Sequence, residues 1–162
     1  MLLTSGVLLL SDQHHCLQKM KMHRSATYQR VWFITGSSGG LGRALTEAVL
    51  ARGERAVVTA PTPERVRDLI ERYPAQALVL ELDVTRPDQV RRVVREAIEH
   101  FGHIDVLVNV DVYSGALAYE VAPLAIKVIT IDSGRANGHP AVDSADDIIA
   151  TVDADDVKSS IP

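Results

Sequence analysis

Val31-Trp32-Phe33-Ile34-Thr35-Gly36-Ser37-Ser38-Gly39-Gly40-Leu41-Gly42 is the stretch from which the rest of the chain is read. Four unbroken apolar residues suit a short strand buried on both faces. Beyond the glycines, Leu41, Ala44, Leu45, Ala48 and Val49 recur at helical spacing, and Gly53 is a natural stop. A glycine-rich turn between a buried strand and a helix presents backbone N–H groups to an anion. Gly36 permits the tight turn, Gly40 lets the backbone approach a pyrophosphate, and Gly42 lets helix and sheet pack closely. The spacing is Gly-x-x-x-Gly-x-Gly. A Walker phosphate loop is excluded, because Leu41 stands where its second glycine belongs and no Lys-Ser/Thr follows. Glycines also serve plain helix–strand packing, so the loop gains meaning only from what surrounds it.

Outward from the loop the pattern alternates. Ala56-Val57-Val58-Thr59-Ala60 is a second buried strand, and Thr62-Pro63 an N-cap with a first-turn proline. Val66, Leu69, Ile70 and Tyr73 stripe the helix that follows, up to Pro74. Ala77-Leu78-Val79-Leu80 is the third strand, ending near Asp83, and Thr85 with Asp88 has capping-box spacing. Val90, Val93, Val94, Ala97, Ile98 and Phe101 mark the clearest amphipathic helix, and Ile104 to Val108 the fourth strand. Such alternation predicts an α/β fold with a doubly wound parallel sheet, Rossmann-like and covered on both faces. Beyond Asn109 the rhythm breaks. A short helix is expected over 112–123, a fifth strand over 126–131, and a weak helix capped by Ser144 that carries Ile148, Ile149 and Val152, unless that last stretch is disordered.

At 162 residues the chain has room for one domain. The single cysteine, Cys16, rules out an intrachain disulfide framework. A net charge of −4 gives no electrostatic footprint for nucleic acid. From Asp132 onward seven Asp face only Arg135 and Lys158, so an acidic tail (132–162) follows a nearly neutral body (31–131). Residues 1–30 are expected to be a disordered leader. Its apolar run, Met1 to Leu10, is about half the roughly 20 residues of a membrane span and has no basic residue before it, so a cytoplasmic protein without a membrane partner is expected. His14, His15 and Cys16 are contiguous and suit a solvated patch better than a tetrahedral metal; no metal site is expected.

Three motifs in order, Thr35-Gly36-x-x-x-Gly40-x-Gly42, Leu82-Asp83-Val84-Thr85 and Asp105-Val106-Leu107-Val108-Asn109, resemble those of the short-chain dehydrogenase/reductase family. The likeness runs from about Val31 to Asn109. It implies that Gly36, Ser38, Gly40, Leu41, Gly42, Asp83, Val84 and Asn109 line the site of a nicotinamide dinucleotide, with the glycine loop on the pyrophosphate and Asp83-Val84 on the adenine. Asp83 also suits a turn at a helix entry, and Asn109 a purely structural place at a strand end. Thr59-Ala60-Pro61-Thr62 offers no acid for the adenosine ribose, which favours NADP over NAD, with Arg43 as the candidate phosphate partner. Similar proteins often have a basic residue where Pro61 stands, which weakens that preference.

The resemblance also implies an oxidoreductase acting on alcohol or carbonyl groups, and here the chain departs from the pattern. The family's chemistry uses a Tyr as general acid/base, a Lys four residues later and an upstream Ser. Tyr28, Tyr73, Tyr113 and Tyr119 are followed at that distance by Trp32, Ala77, Leu117 and Pro123. No catalytic residue is therefore assigned. Val112-Tyr113-Ser114 resembles the start of the catalytic Tyr segment, while Ala116 to Val128 and Ser133-Gly134 resemble the family's late helix, strand and the turn beyond. An internal deletion that removes the Lys-bearing stretch accounts for both. The expectation is a retained cofactor-binding half with doubtful turnover and impaired oligomer formation, or else an inactive nucleotide-binding module or a non-functional fragment.

Overall fold

Val31–Ile34 form the first strand, β1, and all four residues are buried. The structure is a computed structural model that describes residues 28–110, 117, 119, 121–124, 126–131 and 144–159. Around β1 it sets β2 (Arg55–Ala60), β3 (Ala77–Glu81), β4 (Val106–Asn109) and β5 (Lys127–Thr130). All neighbours pair in parallel, in the order β3-β2-β1-β4-β5. The helices are α1 (Gly40–Ala51), α2 (Arg67–Arg72, entered through a 3-10 turn at Pro63–Val66), α3 (Pro87–Phe101) and α4 (Ala145–Ser159).

From β1 the chain steps outward to β2 and β3, then returns across the sheet to β4 and β5. Right-handed crossovers therefore put α1 and α2 on one face and α3 on the other. Successive residues of β1 enter different cores, as the pleat requires. Trp32 and Ile34 pack with Leu45 and Val49 of α1, Leu69 of α2, and Ile148, Ile149 and Val152 of α4. Val31 and Phe33 pack with Val90, Val93 and Ala97 of α3, and with Leu117 and Val121. That double covering is why the strand is apolar throughout rather than alternating.

The sequence boundaries of the first four strands agree with the structure to within two residues. Thr85 does not cap α3: Arg86 is the N-cap without a side-chain hydrogen bond, Pro87 opens the helix, and the Thr85 hydroxyl is taken by Asp83. Thr62 precedes the 3-10 turn as expected but makes no capping hydrogen bond. The calls on the leader (1–27, with His14, His15 and Cys16), on Tyr113 with its neighbours 111–116, and on Ser133-Gly134 lie outside the described residues.

The acidic stretch contributes α4, and its start is built as the sequence suggests. Ser144 Oγ accepts from the Asp147 backbone N–H at 3.2 Å and donates to the Asp147 carboxylate at 2.8 Å. Asp153 ties the helix down, accepting from Arg30 and, at 3.0 Å, from Arg52. Ile148, 1% exposed, sits among residues of β1, α1 and β4. Ile148→Ala is expected to cost about 2–5 kcal/mol in urea unfolding, the usual range for emptying such a site. A value near zero would mean that α4 does not share the cooperative core.

Burial raises the Asp153 carboxyl, but Arg30 and Arg52 outweigh it and hold the group below the usual carboxylate range. Asp68 is likewise held low, chiefly by its hydrogen bond from Arg43. A carboxyl depressed in the folded state stabilises it fully above the unfolded value and loses that contribution as pH falls. The melting temperature is expected to hold through neutral pH and to drop below about pH 4. Asp153→Asn should make that acid limb shallower, as thermal melts at graded pH would record.

β5 is the open edge on the β4 side. Val128 pairs in register with Leu107, yet stays 39% exposed: among the described residues, those that cover Leu107 on that face do not reach over Val128. Ile129, on the opposite face, packs against the core shared with α1 and α4.

Candidate functional site

The carboxyl ends of β1, β2 and β4 meet beside the glycine turn. β1 sits where strand order reverses, with α1 leaving to one face and α3 covering the other. In open α/β sheets the crevice at such a switch point is where ligands bind. The turn is held from beneath. Ser37 N–H donates to Thr59 O at 3.1 Å, its hydroxyl donates to Ile34 O at 3.0 Å, and the Thr46 hydroxyl lies 3.2 Å from Ser37 Oγ. Thr59 Oγ1 also donates to Ile34 O, at 3.0 Å. Ser37, Thr46 and Thr59 are buried, and these bonds satisfy their hydroxyls.

Above this base the turn lies open. Gly36 has φ +65° and Gly40 φ +54°, a region that glycine alone enters freely. Ser38 is half-buried, whereas Gly39 and Gly40 are exposed. A Cβ on Gly40 would meet no described atom within 4 Å beyond its chain neighbours and its own helix, so it would point away from the core. Gly42 is the opposite case: a Cβ there would stand 2.5 Å from Gly36 O and 2.9 Å from Gly36 C. Its hydrogen is what lets α1 lie against the turn. Leu41 is half-buried against the core on the α1 side. Gly36 and Gly42 thus shape the turn and its packing against α1.

Asn109 is 5% exposed, and its Oδ1 accepts from the Thr35 hydroxyl at 2.9 Å. Thr35 Oγ1 accepts in turn from Val110 N–H at 3.0 Å, and Thr35 N–H donates to Val108 O at 3.0 Å. These bonds lock the ends of β1 and β4 together and fix the mouth of the crevice. Thr35 is the residue that sequence reasoning passed over, together with Ser37, Thr46 and Thr59. For Thr35 and Thr59 the available signal was a hydroxyl at or near the end of an otherwise apolar strand, which burial obliges to find a partner.

Asp83 and Val84 share the same edge of the sheet, one strand further out, beyond β2. Asp83 Oδ1 accepts from Thr85 N–H at 3.0 Å and from its hydroxyl at 2.6 Å, and these bonds hold the carboxyl below its ordinary range. Asp83 N–H donates to Gln89 Oε1 at 2.9 Å. The aspartate thus builds the turn into α3, the alternative its sequence position allowed. Val84 is half-buried against the α3 core.

Arg43 does not stand ready for a phosphate. Its Nε donates to Glu47 at 2.9 Å, Nη1 donates to Asp68 Oδ1 at 2.9 Å, and Nη2 donates to Asp68 Oδ2. Two carboxylates raise its already high pKa further, the Asp68 hydrogen bond most of all. The sequence placed Arg43 beside the site but gave no view of Asp68 on the neighbouring helix. Among the described residues no group of three or more His, Cys, Asp or Glu has the geometry to hold a metal, and no helix is long and apolar enough to cross a membrane.

Residues 30–115, just over half of the sequence, match the family described as short chain dehydrogenase. The chain belongs to this family. The match takes in the glycine turn, the Asp83 turn and the Thr35–Asn109 lock, and it stops where the family pattern breaks. Oxidoreductase BOA17 of Botryotinia fuckeliana is 40% identical over 92 residues, which cover 56% of this chain and 34% of that protein. The chain thus spans about a third of the length of such a relative. Among solved structures, a short-chain dehydrogenase from Streptomyces avermitilis superposes with a TM-score of 0.62 at 24% identity, covering 82% of this chain and 62% of the other. L-Sorbose reductase from Gluconobacter frateurii, solved with NADPH and L-sorbose, superposes at 0.56 with 26% identity, covering 63% and 51%. Both superpositions cover more of the chain than the matched residues 30–115 do.

Proposed function

We propose that this chain binds a nicotinamide dinucleotide across the carboxyl ends of β1, β2 and β4, as the retained cofactor-binding half of a short-chain dehydrogenase/reductase. One observation carries this reading above the others: an exposed glycine turn at the start of α1, with free space over Gly40, in a chain of this family. The pyrophosphate would lie over Ser38, Gly40 and Leu41, on the N–H groups and positive end of α1. Gly36 and Gly42 shape that turn, Asp83 and Val84 flank the adenine side, and Asn109 holds the nicotinamide side through Thr35. When bound, the cofactor supplies or accepts hydride in alcohol–carbonyl chemistry.

NADP is the preferred form in this reading. The end of β2, Thr59 to Thr62, has no carboxylate to accept from a ribose 2′-hydroxyl or to repel a 2′-phosphate. A ligand that binds only the folded state must stabilise it, by about 2.7 kcal/mol at a hundredfold excess over Kd. A cooperative melt that rises with NADPH supports the reading. A cooperative melt that ignores both NADPH and NADH at millimolar concentration refutes it.

Compact oligomers are expected not to form, because the stretch that departs from the family pattern beyond Asn109 is where relatives carry the helices they pair through, and the exposed Val128 on β5 favours non-specific association instead. Light scattering should find monomers or polydisperse aggregates, and a monodisperse dimer or tetramer would contradict this.

A further inference from the structure

Arg43 and Asp68 join two helices whose own entries border the end of β2. Arg43 N–H donates to Gly39 O at 3.2 Å, which puts the residue one turn beyond the glycine entry of α1. Asp68 lies on α2, reached from Ala60 through the exposed Pro61-Thr62 and one 3-10 turn. The Ser37 N–H to Thr59 O bond clamps the glycine turn against the same strand end. The pair therefore spans the two sides of the place where a dinucleotide of the orientation proposed above puts its adenosine ribose. There an acid on β2 ordinarily selects the 2′-hydroxyl, and a nearby Arg accommodates a 2′-phosphate.

The charge at this place is cancelled from within the protein. Each of the three guanidinium nitrogens of Arg43 faces a carboxylate oxygen of Glu47 or Asp68, and Arg72 lies 3.9 Å from both carboxylates. Two cations and two anions leave no net charge for an arriving phosphate. The Asp68 side chain is 45% exposed and that of Arg43 is 23% exposed, so solvent and a ligand can reach the pair.

We propose that Asp68 is a specificity-determining residue for the dinucleotide: by occupying Arg43 it withholds that guanidinium from the adenosine 2′-phosphate. This rests on the dinucleotide reading above. A 2′-phosphate must displace a bidentate carboxylate before it gains the arginine, so the native protein draws little of its preference for NADP from Arg43. Removing the charge of Asp68 while keeping its shape unbalances the cluster by one positive unit. The released fork of donors then matches a phosphate as well as it matched the carboxylate.

The test uses the full-length protein and four variants' worth of comparison: wild type, D68N, R43Q and D68N/R43Q. Dissociation constants for NADPH and NADH are read by fluorescence titration, with a thermal melt on each protein. D68N is expected to shift the NADPH-to-NADH affinity ratio toward NADPH by roughly tenfold, the scale of a charge-assisted hydrogen bond. D68N/R43Q, whose cluster is neutral again, should lose the gain and return to the wild-type ratio, R43Q alone, one negative unit, should lower the ratio, and both shifts should shrink as salt is raised. Loosening of α2 would weaken both cofactors together and leave the ratio where it was. An unmoved ratio in D68N overturns the proposal. So does a gain that survives R43Q, which would put the phosphate on Arg65 or Arg67, both exposed beside Pro63–Val66. A ratio in the neutral D68N/R43Q that falls below the wild type's overturns it as well, since Arg43 would then already serve the phosphate. If the wild type melts cooperatively and binds neither cofactor, the dinucleotide reading itself fails and the proposal with it.

Discussion

Gly40→Val is expected to abolish dinucleotide binding while leaving a folded protein, and Gly42→Ala to damage the fold itself. The two glycines are two residues apart, and their surroundings are opposite. At Gly40 an added Cβ meets no described atom within 4 Å beyond its chain neighbours and its own helix, and in the dinucleotide reading a branched side chain there projects toward the pyrophosphate. The backbone there has φ +54°, and a β-branched residue in that region costs about 1–3 kcal/mol. That strain falls on an exposed turn. A fold with two well-packed cores tolerates it, but the N–H groups lose their alignment and the phosphate loses its room. At Gly42 a methyl group is driven to 2.5 Å from Gly36 O, and backbone on both sides has to move. Overpacking of this kind costs about 1–3 kcal/mol, and here it also pries α1 from the turn. Gly39→Ala is the control: Gly39 has an extended φ of −172° and open space around its Cβ, so melting should be unaffected. Fluorescence titration with NADPH and thermal melts separate the three. Binding by Gly40→Val at the parent's affinity would remove the turn from the site.

The sheet was legible in the sequence because its strands are buried on both faces. Val31–Ile34 and Val106–Val108 have no polar residue to confuse the period, and Gly36 and Gly102 punctuate them. Gly36, Gly40 and Gly42 were legible for a related reason: each answers a local demand of turn or packing. What the sequence could not display was pairing across the fold. Asp68 is 25 residues from Arg43, and nothing in either segment announces that the two helices bring them together. Thr35 and Asn109 are 74 apart, and their bond exists only because β1 and β4 are neighbours in the sheet. Thr85 failed as a cap for a local reason that composition hides: the N-cap position falls on Arg86, one residue on, and the Thr85 hydroxyl donates to Asp83. β5 is the case in between. Its apolar pattern was visible, but the 39% exposure of Val128 depends on how the described elements pack around β5, which no local pattern displays.

Hydride transfer between NADP(H) and alcohols or carbonyls is expected to be absent from this chain, even if the cofactor binds. Reduction of a carbonyl leaves an alkoxide that must be protonated as it forms, and a positioned acid contributes about 10²–10⁴-fold. In the family this is the Tyr of Tyr-x-x-x-Lys, and no tyrosine in this sequence is followed by Lys at that spacing. A tyrosine without a cationic neighbour titrates near pH 10, about three units above neutrality, where it is a poor partner for the proton. The same Lys holds the nicotinamide ribose, so positioning and proton transfer fail together, and misplacement by an ångström alone costs about a hundredfold. The Thr35–Asn109 lock keeps the crevice mouth in shape, but it offers a hydroxyl and an amide, neither of which is an acid at neutral pH. Purified protein with NADPH should therefore show no substrate-dependent loss of reduced-cofactor absorbance across a panel of ketones, aldehydes and quinones. Turnover at ordinary enzyme rates that disappears in Tyr113→Phe would overturn this, because it would mean that Tyr113 acts as the acid without the lysine the family places beside it. Turnover unaffected by that substitution would point to an acid elsewhere along the crevice, and the departure from the family pattern after Asn109 would then have to be read as a change of catalyst rather than its loss.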